Sequence, residues 1–544
     1  MMEVAEDAFD FIIVGAGTAG CVLANRLSAD MKTRVCLVEA GGSDNSPKIH
    51  VPAAVAAAIG DPKFGWGLFS APQAGANDRR IPLPRGRVIG GSSSINGMAY
   101  FRGHPRDFDD WSGVHGAVGW SYRELLPYFR RSENNEAWPD SPYHGKGGLM
   151  NVIDIPHPNP LGNRFLAATD SLQLKRCADF NAADPEGFGF RQGTIKRGRR
   201  VSMASAFLDP ARTRPNLTIV SEALVERVTI EGGRATGVEI EVVGSKRRLT
   251  AAREVVLSAG SFGSPQLLML SGVGDGAALA AMGIEVKHNL PAVGRGLGDH
   301  PAAAVAMRTR NPTSYGLSWG ALPRDVWNIA EYAFARGGPL ASNLLEAHGF
   351  TRSRPDLDRP DLQLVFIPAH RNASGFPIPF GHGYSVLSIN VRPKSRGAVT
   401  LASPDPRAPP VIDPNLFEDT EDLDVVVRGL NLGRRILAAP SFQPLKAHEI
   451  LPGPSVNTDD EWRDYVRRSV VTVHHPCGTC RMGGDAGSVV DPQLRVRGIE
   501  GLRIADASVI PKLVAGNTNA GVVMVAEKAA DLILGRPAPK PAQL

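Results

Sequence analysis

The sequence predicts a chain of α/β and α+β class, with a Rossmann-like nucleotide-binding domain interleaved with a second domain. Three observations carry this. A length of 544 residues exceeds what one hydrophobic core serves. Residues 9–14 form an apolar, β-rich run followed by glycines at GxGxxG spacing. Residues 216–230 and 235–243 alternate apolar and polar side chains, as antiparallel strands do.

Composition narrows the function. A hydrophobic content of 43% and a charged content of 21% are ordinary for a globular protein. The net charge of +5 is modest, and the densest basic fragment is Arg197-Gly198-Arg199-Arg200. A basic stripe with stacking aromatics is missing, so nucleic acid is not an expected partner. The start, MMEVAEDAFD, is acidic where an export signal needs basic and apolar residues. Residues 255–274 are uncharged, but serines, glycines and Pro265 interrupt them, so a transmembrane segment is not expected. Five cysteines make no disulfide scaffold and suit a reducing, cytoplasmic setting.

The first strand leads into Gly15, Gly17 and Gly20. Gly15 permits the tight turn, Gly17 lets backbone N–H groups approach a pyrophosphate, and Gly20 lets the following helix pack closely. Residues 34–38 then read as a second strand ending at Glu39, about 20 residues on, where a carboxylate accepts ribose hydroxyls. Strand, glycine turn, helix, strand and acid together predict a dinucleotide. NAD and FAD share the ADP half, and an acid at residue 39 argues against NADP.

Residues 85–103, RGRVIGGSSSINGMAYFRG, form a donor-rich loop suited to phosphate or the polar edge of a ring. Lys246, Arg247 and Arg248 are expected to close the hairpin after residue 243. Residues 253–260 read as a strand, with a helix over 264–270. Loops are expected at 354–361, 372–383 and 403–414.

The C-terminal quarter holds His474-His475-Pro476, a CxxC from Cys477 to Cys480, a strand over 501–511 and a polar turn at 516–520. No second cysteine pair completes a zinc site, so no metal is expected. An amphipathic helix over 522–534 is expected to carry Glu527, Lys528 and Asp531 on its wet side. Asn517 and Asn519 stand where helix capping is the ordinary structural role. The tail from Gly535 is expected to be disordered.

Several of these segments, in this order, resemble the glucose–methanol–choline (GMC) flavoprotein oxidoreductases: the glycine turn with Glu39, RGRVIGGSSSINGMAYFRG, GSFGSPQLLMLSGVG, LPAVGRGLGDHP, VHHPCGTCRMG, ADASVIP and GNTNA. The resemblance implies an FAD-binding domain made of 1–150, 200–302 and 480–544. It also implies a substrate-binding domain of 151–199 and 303–479, built on an antiparallel sheet with helices. It implies FAD rather than NAD, His475 as catalytic base and Asn517 as the second catalytic residue, with His474 against the flavin ring. Further FAD contacts implied are Thr18, Ala40, Val88, Ser92, Asn96, Gly97, Met98, Ala99, Val225, Asp506 and Thr518. Ile95 stands where some members carry the histidine that links FAD covalently, so the cofactor is expected to be non-covalent.

The chemistry that follows is oxidation of a primary or secondary alcohol, with the proton going to His475 and the hydride to flavin N5. Asn517 would donate to the oxygen as charge develops, and the 522–534 helix would point its positive end at the ring. Alternatives are a hydroxynitrile lyase or a fatty acid photodecarboxylase on the same fold, or an NAD-binding protein sharing only the glycine turn. Glu346 is a candidate seat for a cationic head group such as choline's. Phe366, Phe376, Pro377 and Phe380 suggest an apolar or aromatic alcohol. The electron acceptor is a quinone-like carrier or O2.

Overall fold

Strands that are apolar without interruption, FIIV at 11–14, VCLV at 35–38 and VVL at 255–257, need cover on both faces, which a parallel sheet between helices supplies. The computed structural model describes residues 8–370 and 380–543 and builds that sheet. Ala8–Val14 lies parallel to Val35–Val38 on one side and to Ser245–Leu257 on the other. Leu217–Val220 extends it parallel to Val35–Val38, and Leu502–Ile504 pairs parallel with Ser245–Leu257.

The antiparallel part departs from expectation in two places. Residues 216–230 are two strands, Leu217–Val220 and Ala223–Glu231, parted at Glu222, whose backbone is left-handed. The hairpin turns at Val243 and Gly244, both left-handed, which matches the twist of a two-residue connection. Lys246, Arg247 and Arg248 therefore lie inside the next strand rather than at its turn. That strand, Ser245–Leu257, is long enough to serve twice. Its first half pairs antiparallel with Arg234–Val242, and its second half runs beside Ala8–Val14.

The C-terminal helix, Asn519–Ile533, is buried all round, with no wet side. It packs between Thr18–Leu27 and Tyr122–Ser132. Glu527 accepts from Arg26 at 2.6 Å and pairs with Arg131 at 2.9 Å, while Asp531 pairs with Arg131 at 2.8 Å. Lys528 bonds the carbonyl of Gly119 and lies over the Trp120 ring. Charges that read as solvated are thus paired within the body, because arginines from two neighbouring helices reach them. The tail is docked too: Ala542 N donates to Arg123 O at 2.8 Å and packs on the first core.

A second sheet is antiparallel throughout, in the order His448–Leu451, Pro301–Thr309, His382–Asn390, Leu362–Ile367, Ala347–Thr351, Gly187–Phe190. Val471–Thr472 joins the start of Pro301–Thr309. The helix Thr420–Leu437 covers one face through Leu423, Val426 and Leu430, forming a separate core. Gly429 permits that approach, since a Cβ there would lie 2.1 Å from Ser388 Oγ. Pro301 begins a strand of the second sheet, and Thr472 sits two residues before His474, so the chain crosses between sheets beside the histidines.

Candidate active site

The strands of the first sheet end at one cavity of about 470 Å³. At its nucleotide end, Gly15 is left-handed and a Cβ there would lie 2.7 Å from Ser258 O. A Cβ on Gly20 would lie 1.9 Å from Gly15 O, so only glycine lets the helix Thr18–Leu27 sit this close. Gly17 caps that helix without a side chain, leaving its first N–H groups open to the cavity. The loop at 90–91 stacks on this turn: Gly90 N donates to Ala16 O at 2.8 Å, and a Cβ on Gly91 would lie 2.7 Å from Gly17 Cα. Glu39 accepts from Ala16 N and Gly41 N, each at 2.8 Å, and burial pushes its carboxyl up to about 7. This turn, with open helix N–H groups beside a buried carboxylate, fits a dinucleotide.

At the other end His474 is left-handed, and Arg85 fixes its carbonyl with a 2.6 Å bond. The kink presents His475 to three partners. Asp299 Oδ1 accepts from His475 N at 2.8 Å, and the same oxygen accepts from His300 N. His475 Nδ1 lies 3.0 Å from His300 Nδ1, and His475 Nε2 lies 2.9 Å from Asn517 Nδ2. His475 keeps part of its surface open to the cavity yet lies deep in the protein. Burial, then the neighbouring His300, His474 and Arg85, hold it well below the ordinary histidine value of 6.5. Burial likewise takes His300 and His474 down to about 3. His475 is therefore a neutral imidazole at pH 7.

Neither asparagine caps the C-terminal helix. Thr518 holds the cap position without a side-chain bond, Asn517 turns to His475, and Asn519 Oδ1 accepts from Thr18 Oγ1 at 2.8 Å. Asn519 thereby ties the two helix starts together, and both line the cavity.

Gly15, Gly17, Thr18, Glu39, Ala40, Ser92, Asn96, Gly97, Met98, Ala99, Val225, His474, His475, Asp506, Asn517 and Thr518 all line this cavity. Gly20 and Val88 do not: Gly20 is a packing position, and Val88 is buried against Ile49, Phe64 and Ile95. Both oxygens of Asp506 are occupied, by Gly260 N and Ser264 on one side and Ser508 on the other. Cys477 and Cys480 are buried free thiols, with Cys477 pushed up to about 12 by burial. Arg85, Asp299 and His300 escaped the sequence reading. Their signal lies in RGRV, within the donor-rich loop, and in LGDHP, directly before the strand that begins at Pro301.

Three substrate expectations change. Glu346 lies outside the cavity, its carboxylate taken by Tyr315 OH, Ser342 Oγ and Asn159 N. Phe366 stacks on Phe165 in the second core, and Phe380 is on the surface. Phe376 and Pro377 lie outside the described residues.

Comparison with known proteins matches residues 9–302 and 393–526 to the two family models described as GMC oxidoreductase. The chain belongs to the GMC oxidoreductases. An alcohol dehydrogenase [acceptor] from Pseudomonas putida is 44% identical over 97% of this chain and 96% of its own. An oxygen-dependent choline dehydrogenase from Rhizobium etli is also 44% identical, over the same shares. The crystal structure of pyridoxine 4-oxidase from Mesorbium loti superposes with a TM-score of 0.86 at 34% identity, covering 96% of this chain and 98% of that one. This GMC protein is an FAD-dependent oxidoreductase acting on CH–OH donors, with a small-molecule substrate and an electron acceptor. No helix among the described residues is long and apolar enough to cross a membrane.

Proposed function

We propose that His475 is the base and Asn517 the hydrogen-bond donor in oxidation of an uncharged alcohol. The observation that carries this is the 2.9 Å pairing of His475 Nε2 with Asn517 Nδ2, inside the cavity that also holds Glu39 and the glycine turn. An alcohol hydroxyl needs a base to lose its proton, and a neutral imidazole provides one. The proton position on His475 follows from its neighbour. Asn517 Nδ2 can only donate, so the His475 Nε2 that it faces at 2.9 Å must be the unprotonated nitrogen. His300 Nδ1 is then an acceptor, His475 carries its proton on Nδ1, and its Nε2 lone pair faces the cavity. Asn517, displaced from Nε2 by the substrate oxygen, donates to that oxygen as charge develops. Bound FAD supplies the hydride acceptor. The N-terminus of Asn519–Ile533 opens on the cavity and offsets negative charge there.

The charges favour an uncharged substrate. The acids lining the cavity are Glu39 and Asp506, both occupied by hydrogen bonds, against the cations Arg85, Arg87 and Arg407. A quaternary ammonium group such as choline's finds no free carboxylate among the described residues that line the cavity. The apolar side chain of Ile95 in the cavity wall supports non-covalent FAD. The electron acceptor is a quinone-like carrier or O2, the relative named for an acceptor supporting the first and the oxygen-dependent relative the second. Cysteines without disulfides suit the cytoplasm.

The test is anaerobic bleaching of the yellow holoprotein by a panel of aliphatic, aromatic and cationic alcohols, then readmission of air. Uncharged alcohols should bleach it. Bleaching by choline alone overturns the substrate reading, and the speed at which colour returns in air decides between O2 and a quinone-like carrier.

A further inference from the structure

The helix Leu322–Ala335 is amphipathic the wrong way round for a water-facing surface. Of its residues, Tyr332 alone is buried, anchored by its hydroxyl to Gly198 O at 2.9 Å. Arg324 bonds its neighbour Asp325 at 2.9 Å and the carbonyls of Pro312 and Gly316 in the segment leading into the helix. Leu322, Val326, Ile329 and Ala333 share one face at helical spacing, with Trp327 and Phe334 beside them, and this face points outward. Trp327 is 67% exposed and Phe334 92%, and Trp319 just before the helix is 90% exposed. Leu317 and Phe380, paired by a bridge and both exposed, continue the apolar surface. A short helix held by one buried residue is marginal in water, and so large an exposed apolar patch marks an interaction surface.

Beside its C-terminal end lies a basic cluster. The hairpin carrying Lys196, Arg197 and Arg199 touches the helix, since a Cβ on Gly198 would lie 2.1 Å from Arg336 O. Lys196, Arg197, Arg199 and Arg336 are all exposed, and none pairs with a carboxylate among the described residues, Arg336 lying over the Tyr332 ring.

We propose that this face docks on an anionic lipid surface, with Leu322–Ala335 lying in the plane of the interface. Tryptophans and an apolar helix face beside unpaired cations match the two attractions of a bilayer surface, acyl burial and anionic headgroups. A second copy of the chain is the poorer occupant, because a symmetric contact would bring two such basic clusters together. None of these residues lines the active-site cavity, so the proposal stands apart from the catalytic reading.

The test is flotation of the FAD-loaded full chain with vesicles of phosphatidylcholine mixed with phosphatidylglycerol, and with phosphatidylcholine alone. The protein should float with the mixed vesicles, with blue-shifted tryptophan emission, and float less with phosphatidylcholine alone. Trp327→Glu with Phe334→Glu should lower partitioning by more than about tenfold while alcohol oxidation with a soluble dye is unchanged. Trp319→Glu, outside the helix, should act in the same direction. Changing Lys196, Arg197 and Arg199 to alanine should remove the preference for phosphatidylglycerol. A protein that stays below both vesicle types overturns the proposal, as does a dimer that Trp327→Glu and Phe334→Glu dissociate without any vesicle binding.

Discussion

A histidine serves as base only if its lone pair faces the substrate and its proton is held elsewhere. In this GMC protein those two conditions fall to different residues. His475→Ala removes the acceptor of the hydroxyl proton, so flavin reduction by alcohol should fall by about 10²–10⁴-fold under anaerobic conditions while the protein stays yellow. Retained reduction rates refute the assignment. His300 acts through His475 and is a positioning residue. His300→Leu removes the acceptor for His475 Nδ1–H and should slow reduction by about tenfold or more, whereas His300→Gln, which keeps an acceptor oxygen, should recover part of the loss. The pH profile separates positioning from mere packing. Burial holds His475 below 6.5, and only its neutral form accepts a proton. Reduction should therefore stay level as pH drops through 6.5 and fall only in more acid solution. In His300→Leu one depressing neighbour is gone, and the fall should begin at higher pH. An unchanged profile in that variant argues against the positioning role.

At the scale of elements, the sequence was most readable where backbone geometry leaves one choice. Gly17 serves by leaving the helix N–H groups open to the cavity. Gly15 and Gly20 each exclude a Cβ, the first against Ser258 O in a left-handed turn and the second against Gly15 O. Gly20→Ala tests this: a Cβ 1.9 Å from Gly15 O must push the helix Thr18–Leu27 off the strand. The variant should purify with little FAD and melt below the parent, both read by absorbance and thermal scanning. A variant with full flavin content counts against the packing role of Gly20. The C-terminal helix lacks the wet side its sequence suggests, because side-chain character alone cannot foretell a partner that is distant in sequence. Glu527 looks solvated until Arg26 arrives from the other end of the chain. Asn517 and Asn519 carried a capping signal, but bonds to His475 and Thr18 took their side chains instead. The split at Glu222 and the turn at Val243 were hidden for a related reason. Left-handed non-glycine residues are set by which strand pairs next, and that pairing is tertiary.

The whole molecule joins two sheets with separate cores, and the cavity draws on both. Its nucleotide end is built by strand ends of the first sheet. His474 and His475 enter two residues after a strand of the second, and Asp299 and His300 just before another. FAD binding should therefore stabilise the body as a unit. With free FAD at 100 times its dissociation constant, linkage adds about 2.7 kcal/mol to the folded state, provided the unfolded chain does not bind it. That proviso holds only without a covalent link, and the same experiment tests it. Ile95 occupies the wall of the cavity, offering flavin no nucleophile, and Cys21, Cys477 and Cys480 are buried thiols that burial holds protonated. On acid or heat denaturation all of the yellow colour should pass into the supernatant, and refolded apoprotein should melt lower, with a midpoint that climbs as FAD is added back. Flavin that precipitates with the polypeptide, or a melting point indifferent to added FAD, contradicts a cofactor held by the glycine turn, Glu39 and the histidine end alone.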